Sequence, residues 1–195
     1  MTTTPPVPWR SGRWTHPPLG VREDATDLLV TAVEGSDAWR HTAYGFVHDS
    51  EHGLVAPLAS GQAVEVEFTV DYDRQFDQAG LLLRTSATEW IKAGVEVADG
   101  VAQVGAVVTR PRSDWSVAPV PDWVGRRVTL RASREGDAVT IRARSADEPS
   151  RLVRVVPWPP DAEVEAGPYC CAPTRAGLVV RFHSWRVTPA DAALH

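Results

Sequence analysis

Asp77 to Gly100 reads DQAGLLLRTSATEWIKAGVEVADG, two β-strands and the turn between them. Ala79 to Thr85 is nearly all apolar, and Trp90 to Val97 alternates. Ile91, Ala93, Val95 and Val97 fall on one side of the second strand; Trp90, Lys92, Gly94 and Glu96 fall on the other. Side chains on a strand alternate with a period of two, so one set can enter a core while the other looks outward. The outward row would combine an aromatic plate, a cation and a carboxylate. It is the candidate functional surface.

Working outward, the neighbouring segments have the same character. Val64 to Tyr72 points Val64, Val66, Phe68 and Val70 inward and Glu65, Glu67, Thr69 and Asp71 outward. Asp99-Gly100 is a tight-turn signal that returns the chain through Val101 to Thr109. Strands are also expected over Val128 to Ser133, Ala138 to Arg144, Arg151 to Val156, Ala166 to Ala172 and Leu178 to Val187. Before the central stretch, short strands are expected at Trp9 to Trp14, Leu28 to Ala32 and Ala43 to Val47. Polar turns or loops are expected at Arg22 to Asp24, Gly35 to Arg40, His48 to Gly53 and Arg112 to Pro121. No stretch sustains an apolar period of 3.6, which argues against a long helix. Many short strands with close turn signals describe an all-β sandwich or barrel. One domain over 9–187 is expected, with loose ends at 1–8 and 188–195.

Composition narrows the function classes. The net charge of −5 argues against a nucleic-acid partner, which needs a clustered basic surface. No apolar run approaches a membrane span, and the N-terminal residues lack a secretory pattern, so the cytoplasm is the default location. Cys170 and Cys171 are adjacent, and on a strand they would point to opposite faces as reduced thiols. The basic residues are nineteen arginines and one lysine, Lys92, in the middle of the central stretch. A compact ammonium and a forked guanidinium are not interchangeable, so that one lysine hints at a chemical need.

Several motifs occur in a distinctive order: Trp39-Arg40 with Tyr44-Gly45-Phe46; Asp77-Gln78-Ala79-Gly80-Leu81; and Trp90-Ile91-Lys92-Ala93-Gly94-Val95-Glu96. They are followed by Val107-Val108-Thr109, Ser113-Asp114-Trp115-Ser116 and Gly167-Pro168-Tyr169-Cys170-Cys171-Ala172-Pro173. This set resembles the domain family of the regulation-of-enolase protein and the bacterial YesU-like proteins, over about residues 9–187. The resemblance implies a concanavalin A-like jelly-roll β-sandwich of two antiparallel sheets. The family's biochemical activity is largely undefined, so the resemblance speaks to fold more than to function.

On the outer face of such a sandwich, sugars stack on aromatic rings while short polar groups bond their hydroxyls. The expected binding residues are Trp90, Lys92 and Glu96, with Tyr72, Gln78 and Arg84 at strand ends or on the neighbouring strand. Asp114 and Trp115 are expected on a loop folding over them, and His41 and Tyr44 on the other rim. The expected partner is a carbohydrate or sugar-derived small molecule, with no cofactor. The plainer alternative is a solvated Lys92–Glu96 salt bridge, worth little. An enzyme acting on a sugar or sugar acid would use Glu96 and Lys92 as acid–base groups. A glycosidase, however, needs a second carboxyl group, which this strand lacks. Glu65 and Glu67 have suitable spacing but read as a solvated face. A third possibility is a regulatory module using the same face on a partner protein. His48-Asp49-Ser50-Glu51-His52 offers metal-ligand types, but reads better as a polar turn, so no metal site is expected.

Overall fold

A computed structural model describes residues 4–146 and 148–194. Sixteen strands follow in order. The first five are β1 (Arg13–Trp14), β2 (Gly20–Asp24), β3 (Asp27–Thr31), β4 (Ala38–Arg40) and β5 (Val47–Asp49). Next come β6 (His52–Pro57), β7 (Gln62–Thr69), β8 (Gln78–Arg84), β9 (Trp90–Ala98), β10 (Val101–Thr109) and β11 (Ser113–Pro119). The last five are β12 (Arg127–Glu135), β13 (Ala138–Ser145), β14 (Arg151–Pro157), β15 (Glu165–Cys171) and β16 (Val179–Pro189). Two short 3-10 turns, Trp9–Ser11 and Pro121–Trp123, are the helical elements among the described residues. No helix of the described residues is long and apolar enough to cross a membrane.

The strands form two seven-stranded antiparallel sheets packed as a sandwich. The first has the order β1-β6-β15-β8-β9-β10-β11 and the second β14-β13-β12-β7-β16-β3-β2. Period-two alternation decides what lies between them. Val64, Val66, Phe68 and Val70 from the second sheet meet Ile91, Ala93 and Val95 from the first, all fully buried. Phe68 and Phe182 pack at 6.1 Å between centroids, and Trp185 is wholly enclosed. Burial of this apolar surface is the main stabilising term, at roughly 25 cal/mol per Å² removed from water. Cys170 belongs to this core, whereas Cys171 faces the opposite side of the first sheet, and both are free thiols.

The expected strands from β7 to β10 and from β12 to β16 agree with the structure to within a few residues. Several earlier or polar segments differ. Of the strand expected over Trp9 to Trp14, Trp9–Ser11 is a 3-10 turn and Arg13–Trp14 is strand. Arg22–Asp24 is part of β2, and the reversal falls one residue later, where Ala25 takes a φ of 55°. Gly35–Arg40 contains β4. Ala43 to Gly45 is a turn rather than a strand, because His41, Ala43 and Gly45 adopt left-handed φ values of 65°, 61° and 76°. Val47–Asp49 pairs with Ala38–Arg40, so a small hairpin stands where loops were expected. Arg112 to Pro121 holds β11, an edge strand paired with β10 from Ser113 through Pro119. Its polar residues and prolines mimic a loop because an edge strand has one side free.

The chain ends are tied down where they are described. The Val7 amide donates to the Trp185 carbonyl at 2.7 Å, and Arg131 holds Asp191 at 2.8 Å. Met1 to Thr3 and His195, parts of the expected loose ends, lie outside the described residues.

Candidate functional site

The face of the first sheet turned away from the second is a lattice of aligned side chains. Across β8, β9 and β10 the register sets Gln78 beside Glu96 and Gln103, Gly80 beside Gly94 and Gly105, and Leu82 beside Lys92 and Val107. On β15, Tyr169 is level with Gly80. The middle row must be glycine. A Cβ on Gly80 would lie 2.0 Å from the Ala93 carbonyl oxygen, and one on Gly94 would lie 2.2 Å from that of Ala79. The row leaves the sheet bare at its centre, with a crevice of about 10 Å³ beneath Trp115, the size of one water.

This face is not the open row expected from the alternation of β9. Trp90 and Lys92 are only 4 % and 3 % exposed. The β4–β5 hairpin lies over them and closes a second apolar cluster of Ala38, Trp39, Val55, Leu82, Trp90 and Val107, with Tyr169 and Cys171. The hairpin is pinned at its far side, where the Arg40 amide donates to Ser113 Oγ at 2.9 Å and the Arg40 Nε to the Pro111 carbonyl at 3.2 Å.

Between hairpin and sheet remains a cavity of about 230 Å³. Its wall is a run of touching rings. Trp115 and Trp39 meet edge to face at 6.4 Å, Trp39 and Tyr44 at 5.7 Å, and Tyr44 stacks on Phe46 at 5.3 Å. His48 abuts Phe46 at 4.6 Å. The floor is polar: Asp37, Gln78, Lys92 and Glu96. Phe76 and Pro173 close the remaining side.

The floor explains the chain's one lysine. Lys92 Nζ donates to Asp37 Oδ1 at 2.8 Å, and that oxygen also accepts from the Ala38 amide at 2.8 Å and the Gln78 amide at 3.4 Å. Burial alone would pull the ammonium's pKa down; the negative charges of Asp37 and Glu96 outweigh it and raise the pKa. A guanidinium would bring five donors to a buried spot where the ammonium finds the Asp37 carboxylate oxygen. Asp37 is itself held by Ser50, whose amide donates to the Asp37 carbonyl at 2.9 Å and whose Oγ accepts from the Asp37 amide at 3.1 Å.

Glu96 differs. Its Oε1 is buried and has no hydrogen-bond partner. Burial pushes its carboxyl up to about 7, against the pull of Lys92. In place of the solvated Lys92–Glu96 salt bridge of the plainer alternative, Lys92 forms a buried pair with Asp37.

The expected site residues divide accordingly. Lys92, Glu96, Gln78, Tyr44 and Trp115 line the cavity. Trp115 does so from edge strand β11 rather than from a covering loop. Trp90 lies under the hairpin as packing. Tyr72 points into the inter-sheet core, where its hydroxyl donates to the Val95 carbonyl at 2.7 Å. Arg84 faces Glu51 at 3.6 Å, beside a separate open groove at the end of the sandwich. Asp114 points away and holds Arg154 at 2.6 Å. The His41 backbone shapes the hairpin turn, where its carbonyl accepts from the Gly45 amide at 2.7 Å. Glu65 and Glu67 face arginines at the surface, Arg186 at 3.9 Å and Arg127 at 3.2 Å.

Sequence reasoning missed Asp37, Trp39, Phe46, His48, Phe76 and Pro173. Trp39 and Phe46 stand in the motif set, so a signal existed; Asp37 has none, because its role depends on contact with Lys92. Of the stretch His48 to His52, His48 and Asp49 end β5, His52 opens β6, and Ser50 and Glu51 link the two. His48 enters the cavity wall, while Asp49 and Glu51 gather with His16 within 4.8 Å. Arg84 faces one carboxylate oxygen of Glu51, Oε1, at 3.6 Å, and His16 faces the other, Oε2, at 3.7 Å.

Comparison with known proteins follows this geometry. Residues 14–190 match the family described as Protein of unknown function (DUF1349). The chain belongs to the DUF1349 family. A DUF1349 relative, Regulation of enolase protein 1 of Saccharomyces cerevisiae, is 36 % identical over 94 % of this chain and 93 % of its own. A crystal structure of a functionally unknown S. cerevisiae protein superposes with a TM-score of 0.88 at 33 % identity, over 95 % of this chain and all of that one. The sandwich also resembles part of a xylan β-1,4-xylosidase from Bacillus halodurans. There the TM-score is 0.62 at 13 % identity, over 83 % of this chain and 32 % of the enzyme, a likeness of fold alone.

Proposed function

We propose that the protein binds a saccharide in the cavity between the β4–β5 hairpin and the first sheet. The observation that carries this reading is the pairing of an aromatic wall with a polar floor: Trp115, Trp39, Tyr44 and Phe46 above Asp37, Gln78, Lys92 and Glu96. A sugar ring has apolar C–H faces and a polar hydroxyl edge, so it fits a site of this divided character. At about 230 Å³ the cavity suits one ring, free or at the end of a chain, better than an internal stretch of polysaccharide. Binding is expected to perturb tryptophan fluorescence, because Trp39 and Trp115 form the wall. Titration with a monosaccharide panel tests this. Trp115→Ala, at the edge of the sheet, should weaken binding at least tenfold while leaving the unfolding midpoint nearly unchanged. Should no sugar perturb the fluorescence at millimolar concentration, the reading is wrong.

Two observations favour other uses of the same cavity. The near-neutral carboxyl of Glu96 suits general acid–base chemistry, with Lys92 as a fixed charge rather than a base. Turnover of any sugar that disappears in Glu96→Gln would support an enzyme. The name of the yeast relative speaks of regulation, and Tyr44 and Phe46 are 58 % and 43 % exposed at the hairpin tip. A partner protein lost on replacing both rings with serine would support a regulatory module.

A further inference from the structure

The cavity's charges do not cancel, and the remainder points to the charge of the ligand. Three ionisable groups meet at the floor, Asp37, Lys92 and Glu96, and when Glu96 is ionised one negative charge is left over. Lys92 and Asp37 are joined at 2.8 Å and neutralise one another. Gln78 reinforces that pair, donating to Asp37 Oδ1 at 3.4 Å and to the Phe76 carbonyl at 3.1 Å. Glu96 makes no ion pair among the described residues; Trp115 gives it a neutral hydrogen bond, and its Oε1 is buried without a donor. A buried carboxylate left in this condition is costly, and the cost is relieved when a positive donor arrives. A neutral hydroxyl supplies a hydrogen bond but no charge. An ammonium supplies both, and charge-assisted bonds are about twice as strong as neutral ones. The wall favours the same sign. Trp39, Tyr44 and Trp115 present ring systems at steep angles to one another, and the faces of such rings attract cations.

We propose that the ligand is a hydroxylated primary amine of single-ring size, an amino sugar in its ammonium form, whose nitrogen is held by Glu96. This rests on the saccharide reading above and sharpens it. The ammonium meets the Glu96 carboxylate, the ring stacks on the aromatic wall, and hydroxyls meet Lys92 and Gln78. N-acetylation of the same nitrogen removes the charge and two of its three donors while enlarging the group. Acetylated and parent sugars are therefore weaker ligands of the same shape class.

The test compares glucosamine, galactosamine and mannosamine with their N-acetyl derivatives and with glucose, galactose and mannose. Affinities are measured by calorimetry and tryptophan fluorescence at pH 7 and low ionic strength. At least one amine is expected to bind tenfold or more tightly than both its acetylated and its parent sugar. Glu96→Gln should abolish that preference, the amine losing at least tenfold in affinity relative to its parent sugar measured on the same variant. The comparison among sugars uses the wild-type protein, so it does not depend on the folding of any variant. Neutral sugars binding as tightly as the amines would overturn the proposal and leave the saccharide reading intact. Failure of every sugar to bind would remove both. Tetramethylammonium binding as tightly as the best amine would also overturn it, since that ion carries charge without hydroxyls or N–H donors.

Discussion

Glu96 sets the pH behaviour expected of the protein without ligand. Its carboxyl is raised from about 4.5 to about 7 by burial, so between those values the folded chain holds a proton that the unfolded chain has released. Stability contributed at this position therefore falls as pH rises from about 4.5 to about 7 and is flat above. The full shift corresponds to at most about 3 kcal/mol. Glu96→Gln keeps the shape and removes the charge. Urea unfolding should show the variant more stable than wild type by about 1–3 kcal/mol at pH 8 and nearly equal at pH 5. The other titratable groups around it are Asp37, Lys92, Tyr169 and, at the wall, His48. A parallel series with His48→Gln separates their contribution, and persistence of the pH-dependent difference there would assign it to Glu96. A variant less stable than wild type at pH 8 would contradict a carboxyl destabilised by burial.

At the scale of elements, the first sheet and its hairpin make different demands on the sequence. Gly94 and Gly80 face each other on adjacent strands, and neither has room for a methyl group. Gly100 sits in the β9–β10 turn at a φ of 77° with open space around it. Gly94→Ala should cost about 3 kcal/mol or prevent accumulation of folded protein, because backbone must move. Gly100→Ala should cost about 1 kcal/mol, because only the left-handed φ opposes it. Denaturation midpoints of the two variants measure this contrast, and equal costs would contradict the register of β8 on β9. The same elements show what a sequence can reveal. The alternation of β7 and β9 is written in neighbouring residues, as are the turns at Asp99-Gly100 and Gly136, so the core strands are readable one by one. The cover over β9 is not. Asp37 and Lys92 lie 55 positions apart and meet only after the hairpin folds back onto the sheet. Alternation shows that Trp90 and Lys92 leave the inter-sheet core; it carries no information about whether water or another segment waits on the far side.

Across the whole molecule, the first sheet has two buried faces of different kinds. One is the large apolar interior shared with the second sheet. The other is the smaller cluster under the hairpin, next to the cavity. The sandwich of two antiparallel sheets was expected from the family resemblance and agrees with the structure; the pairing order of the strands is written in no single segment. Candidate site residues were anticipated where they project from the sheet itself, as Lys92, Glu96 and Gln78 do. Tyr72 and Arg84 point elsewhere because position at a strand end does not say which way the chain turns next, Asp114 because its expected loop is edge strand β11, and Trp90 because the hairpin covers it.

The adjacent cysteines occupy these two interiors separately, one residue apart. Cys170 can meet a reagent only when the sheets part, whereas Cys171 can meet one whenever the hairpin lifts. Burial raises both thiols, Cys170 to about 12, so either reacts slowly until it is uncovered. The pair is thus a built-in two-channel probe of opening. Mass spectrometry after timed alkylation should find Cys171 modified before Cys170, and a ligand seated against the hairpin should slow the first reaction without changing the second. Equal rates at both sulfurs would mean that hairpin and sandwich open as one unit, and that anything entering the cavity must wait for the whole fold to loosen.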